Sequence, residues 1–100
     1  MQERRTSERI RLNLNSRWES LTTQGKGSVC DLSSIGCFIL TNSDVGPGEL
    51  VRLEILLTDE VASLWGEVVY VVPEMGFALR FKFGGADDKR KLESLIVGIQ

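Results

Sequence analysis

The chain contains no histidine, and that single absence removes a good deal of chemistry. Histidine is the commonest general base and the usual partner of a nucleophilic serine or cysteine. A triad of that kind therefore has no middle member here. Cys30 and Cys37 are the only thiols, too few without histidine for the ordinary tetrahedral metal set. No catalysis, no cofactor and no metal site are expected. Long apolar runs are missing as well: the longest, residues 68–72, falls far short of the roughly 20 residues that span a bilayer as a helix. No signal-peptide pattern opens the chain. Both thiols are accordingly expected to be free, buried in the core and cytoplasmic.

What is present fits one small globular unit. One hundred residues, 42% of them hydrophobic, suffice for a single domain with a modest core. The net charge of −2 is unevenly laid out. Arg4, Arg5, Arg9 and Arg11 crowd the first eleven residues, opposed only by Glu3 and Glu8, so the remainder is acidic. Broad nucleic-acid binding needs a wide basic face. DNA and RNA are therefore not expected as partners, while a local anion site is.

Residues 1–11 show no helical stripe and are expected to form a flexible basic arm that orders against something else. Residues 12–100 are expected to form the folded body. Ile10, Leu12 and Leu14 alternate with Arg11, Asn13 and Asn15, the period of a half-buried strand. A first strand is expected around residues 18–23, closed by a turn at Gly25, Lys26 and Gly27. Further strands are expected at residues 28–32, 37–40, 51–57, 64–72 and 77–83. A long turn rich in Asn, Asp, Gly and Pro fills residues 42–48. The period then changes. Leu92, Leu95, Ile96 and Ile99 fall at i, i+3, i+4 and i+7, the stripe of a closing helix over about 87–98. Asp87 or Asp88 offers its N-cap. Six short antiparallel strands leave few edges bare only if they close, so the fold class is all-β with a C-terminal helix: a six-stranded antiparallel β-barrel.

Two short stretches carry chemistry. In RRTSER, residues 4–9, Arg5 and Arg9 stand four apart. A guanidinium is a planar fork of donors that suits phosphate oxygens or the O6/N7 edge of guanine, and it stacks on flat rings. A solvated basic tail would read the same way. In DLSSIG, residues 31–36, Asp31 is acceptor-only and matches the N1–H and N2–H donors of guanine. Ser33 can offer a hydroxyl to a phosphate or a base edge, and Gly36 lets backbone or ligand approach closely. An ordinary Asx-type turn between two strands is the other reading.

Taken together, R-x-x-x-R on an arm and D-x-S-x-x-G at a strand junction resemble the PilZ family of cyclic di-GMP receptors. The likeness extends to the turn at residues 45–48, to GEVV at 66–69 and to GFALRF at 76–81. The resemblance implies a six-stranded barrel with a C-terminal helix. It also implies that Arg5 and Arg9 hold phosphates and guanine, and that Asp31, Ser33 and Gly36 recognise a guanine from the barrel surface. Arg4 occupies the position just before the first motif arginine. An arginine there implies an intercalated ligand dimer, two cyclic di-GMP molecules per domain. The implied role is that of a cytoplasmic, non-enzymatic adaptor whose arm orders on binding and which acts in trans on an effector protein, as a monomer or weak dimer. A protein-interaction module of the same fold that works without nucleotide is the alternative. Trp18 and Trp65 are expected to pack in the barrel. Arg11 and Arg17 are either solvated charges or extensions of the basic patch, Arg80 is a solvated charge or a ligand contact, and Glu54, Asp59 and Glu67 are expected on a solvated strand face.

Overall fold

The structure, a computed structural model, describes residues 9–83 and 86–99; the side chains of residues 86–88 and 99 lie outside that description. Six strands precede one helix: β1 (Ile10–Glu19), β2 (Gln24–Leu32), β3 (Gly36–Leu40), β4 (Leu50–Leu56), β5 (Val61–Val72), β6 (Gly76–Lys82) and α1 (Ala86–Ile99). The strands close into a barrel in the order β1-β2-β3-β6-β5-β4, with every neighbouring pair antiparallel. The expected fold class is therefore the observed one.

Alternation along each strand builds the interior. Val51, Leu53 and Ile55 of β4 and Phe77, Leu79 and Phe81 of β6 all point inward and are buried. Trp18 fills one end and meets Phe77 edge-on, ring centroids 5.3 Å apart. Its indole N–H donates to the Thr41 hydroxyl at 3.1 Å, so burying this amphipathic ring leaves no unpaired donor. From α1, Leu92 is fully buried and Leu95 and Ile96 are partly so, as the helical stripe requires.

Several expected boundaries move. The first strand starts at Ile10 rather than near residue 18, because Ile10 and Arg11 already pair with Leu32 and Asp31. The barrel thus takes up residues 10 and 11, which were expected in the arm. Residues 20–23 form a turn instead of strand, held by the Ser20 hydroxyl accepting from the Thr22 and Thr23 amides at 3.2 and 3.1 Å. Gly25 and Gly27, expected as that turn, lie inside β2. They are glycines for another reason: a Cβ at Gly25 would sit 2.8 Å from the Trp18 ring, and one at Gly27 would sit 2.7 Å from the Leu40 carbonyl oxygen. Asp87 and Asp88 fall in the first turn of α1 and not before it, and the stripe residue Ile99 concerns a side chain outside those described. Trp65, expected in the core, is 50% exposed on the outer face of β5. Cys37 is buried as expected, whereas Cys30 is only half-buried; both are free thiols.

Two irregularities control which residues face outward. In β2, Val29 and Leu32 are both fully buried although three residues apart. A regular strand cannot put both on one face, because its side chains alternate with period two. The β2–β3 register shifts between Val29 and Asp31, so Cys30 is the extra residue of a bulge that turns Asp31 outward and Leu32 inward. The same happens in β5. The β5–β6 register shifts between Val68 and Tyr70, making Val69 the extra residue and turning Tyr70 outward.

Candidate functional site

Asp31 is the last residue but one of β2, and its carboxylate faces solvent beside β1. The Arg9 guanidinium donates to it at 3.1 Å. Side chains 55% and 29% exposed form this pair, so solvent screens it and its contribution to stability is about 0–1 kcal/mol. Its geometric content is larger than its energy: it carries the last arginine of R-x-x-x-R directly onto the first residue of D-x-S-x-x-G. Arg4 and Arg5 lie outside the described residues. Arg11 stands opposite Asp31 in the β1–β2 ladder and is exposed, adding a second cation to the same edge.

Ser33 and Gly36 are placed differently. Ser33 is 1% exposed. Its hydroxyl accepts from the Ile35 and Gly36 amides at 3.2 and 3.3 Å and lies 3.4 Å from the Gly36 carbonyl, to which it can donate. The Ser33 amide adds a turn bond to the same carbonyl at 2.9 Å. This is a serine-stabilised turn, with its hydroxyl fully engaged inside the corner. Gly36 packs so tightly on β6 that a Cβ would fall on the Leu79 carbonyl oxygen. The loop is fastened to β6 a second time where the Phe81 amide donates to the Ile35 carbonyl at 2.8 Å. Of the motif, Asp31 presents a polar side chain to the outside, while Ser33 and Gly36 fix the shape of the corner behind it.

Burial, reinforced by the nearby Asp31 carboxylate, pushes the Cys37 thiol well above its ordinary range. The thiolate is the nucleophile of cysteine chemistry, and burial disfavours its formation here. Among the described residues no group of three or more His, Cys, Asp or Glu side chains could hold a metal ion, and no helix is long and apolar enough to cross a membrane.

The remaining arginines of the strands separate by neighbourhood. Arg17 is bound to Glu54 at 2.9 Å, on the side of the barrel formed by β1 and β4. Arg52 bridges Glu19 at 3.0 Å and Glu54 at 3.5 Å on that same side. Arg80 is exposed on β6 and stands opposite Gly36 in the ladder, next to the motif. Glu67 is paired with Lys82 at 3.1 Å.

One feature beside Asp31 escaped the reading of the sequence. Asp31 pairs with Phe38, Phe38 with Ala78, and Ala78 with Tyr70, forming one row across β2, β3, β6 and β5. The Phe38 and Tyr70 rings meet over it, centroids 6.2 Å apart and tilted by 37°. The signal was in the sequence as the three-residue spacing of Val29 and Leu32, which implies a bulge and hence an outward Asp31–Phe38 row.

The fold is that of a closed six-stranded β-barrel domain with a C-terminal helix. The PilZ domain model matches residues 3–98, and the chain belongs to the PilZ domain family. Among curated proteins nothing matches the sequence. Solved structures resemble it in fold. The PilZ domain of CeSA from a cellulose-synthesizing bacterium superposes with a TM-score of 0.81 at 17% identity, covering 93% of this chain and 98% of that one. The c-di-GMP complex of K. pneumonia MrkH gives 0.75 at 19% identity, over 99% and 52% of the two chains. The Bacillus subtilis inhibitor of motility MotI/DgrA gives 0.69 at 20%, over 98% and 52%. The chain thus spans about half the length of the last two.

Proposed function

We propose that this PilZ domain is a receptor for cyclic di-GMP, in which Arg4, Arg5 and Arg9 close over a ligand laid against the corner of Asp31, Ser33 and Gly36. The observation that carries the reading is the 3.1 Å pair between Arg9 and Asp31. A guanidinium and a carboxylate that meet across the strand junction support this reading, because the fork suits the O6/N7 edge of guanine and the acceptor its N1–H and N2–H donors. The ligand must replace that pair, exchanging one screened contact for charge-assisted bonds to both partners. Ser33 and Gly36 serve by shape: the turn they hold sets where Asp31 stands, and a direct contact from the Ser33 hydroxyl requires the turn to open.

With an arginine at position 4, the binding unit is a stacked pair of cyclic di-GMP molecules. The arm, ordered by the ligand, then presents a changed surface to an effector protein in trans, without a chemical step. Binding in this scheme is a population shift driven by contacts available only in the clamped state. Isothermal titration calorimetry with cyclic di-GMP, and GTP as control, tests it. Saturable heat with a stoichiometry near two supports the full reading. A value near one removes the ligand dimer. The absence of heat leaves a protein-interaction module that works without nucleotide.

A further inference from the structure

We propose that Phe38 and Tyr70 form an aromatic ledge on which the guanine held by Asp31 stacks. The inference rests on the receptor reading and specifies how the site grips a base face as well as a base edge. Three observations converge on it. The first is register: Asp31, Phe38, Ala78 and Tyr70 occupy one continuous row of ladder partners. Neighbouring strands lie about 4.8 Å apart, so a base whose edge meets the Asp31 carboxylate extends over β3, where Phe38 stands. The second is the pair of bulges, at Cys30 and Val69, which turn Asp31 and Tyr70 outward at the two ends of the row. Bulges gather beside binding sites because they re-aim side chains. The third is exposure. Tyr70 is 52% exposed, although Ala78 beneath the two rings is only 9% exposed. The rings cover the small residue and still present surface outward, as a platform does.

A ring face next to a carboxylate is matched to a heterocycle bearing N–H donors on one edge. The face contact itself is indifferent to which base lies on it, whereas the carboxylate selects guanine. These two roles separate experimentally.

Calorimetry with cyclic di-GMP on wild type, Tyr70→Leu, Phe38→Leu and Tyr70→Phe makes the first test. Leucine keeps apolar cover over Ala78 and removes the ring. Each leucine variant is expected to bind roughly 5- to 100-fold more weakly, the range for loss of one base–aromatic stack, with Tyr70→Phe within about twofold of wild type. Wild type that takes up no ligand sinks the receptor reading and this inference with it. Wild type that binds, with folded leucine variants binding equally well, overturns the ledge alone and leaves the receptor intact. Should a leucine variant fail to fold, NMR of the wild-type complex decides. Nuclear Overhauser contacts from guanine H8 to the Tyr70 or Phe38 ring protons are expected, and a saturated complex without them refutes the ledge. Competition with cyclic di-AMP completes the separation: Tyr70→Leu weakens binding without changing base preference, while Asp31→Asn erodes the preference for guanine. A preference lost in Tyr70→Leu contradicts the proposal.

Discussion

On the β1–β4 side of the barrel, the outward charges answer one another. Arg17 holds Glu54, and Arg52 holds Glu19 and Glu54, all within 3.5 Å. On the side running from β2 through β3 and β6 to β5, the Arg9–Asp31 pair gives way to the Phe38–Tyr70 rings, and Lys82 holds Glu67 further along β6 and β5. Both sides are made of short antiparallel strands with similar inward residues. What differs is whether the outward groups are already paired within the folded barrel. A density of arginine does not by itself mark a site: Arg17 and Arg52 are as cationic as Arg9, yet their donors are spent on rigid strand neighbours. Arg9 is spent on a partner at the end of a strand, from an attachment point just before β1 begins. The second kind of pair is the one a ligand can take over.

The largest expected effect that would break this contrast comes from the glycine behind the corner. Gly36→Ala drives a Cβ onto the Leu79 carbonyl oxygen. It should cost about 1–3 kcal/mol of stability, the range for overpacking, read as a lowered urea midpoint. The Ser33 turn that presents Asp31 should be disturbed with it. Next in size, Arg9→Ala or Asp31→Ala should weaken cyclic di-GMP binding by about ten- to a hundred-fold, as for the loss of one bidentate contact. Arg17→Ala and Arg52→Ala should leave calorimetric affinity within about twofold, because their loss touches only exposed pairs on the other side. Equal losses on both sides would erase the distinction.

A smaller effect concerns the core thiol just behind the corner, Cys37. Burial raises the Cys37 value above the ordinary 9.0. An acid so shifted stabilises the fold through its neutral form, fully below the unfolded value and progressively less above it. Chemical-denaturation stability should therefore decline above about pH 9, less so in Cys37→Ala, and native Cys37 should resist alkylation at neutral pH. The smallest expected effect is the coupling of Arg17 with Glu54. A double-mutant cycle should return about 0.2–1 kcal/mol, shrinking as salt is added.

Much of the fold could be read from alternation. The strands around residues 51–57 and 77–83 and the change to a helical period after residue 86 were legible because burial on one face imposes a period of two or 3.6. The errors have a common physical source. Gly25 and Gly27 look like turn residues, but tertiary contacts set their identity, a tryptophan ring above one and a carbonyl beside the other. Trp65 is apolar yet faces outward, since its parity on β5 is fixed by Leu64 and Gly66, both buried. The approach of Arg9 to Asp31 was anticipated by the paired motifs. The burial of Ser33 was not, because a serine serving a ligand and a serine serving its own turn leave the same letter. Phe38 and Tyr70 are hard to pair from the sequence because one faces the bulge of β2 and the other follows the bulge of β5, and a bulge shifts register without a residue type that announces it.

The ring of strand pairings has a consequence for how such a domain can talk to anything else. Where β1 is hydrogen-bonded to both β2 and β4, over Ser16–Glu19, it offers no free row of amides and carbonyls for β-augmentation by an incoming peptide. A partner docking on that stretch of wall would have to grip side chains, reading shape and charge instead of backbone.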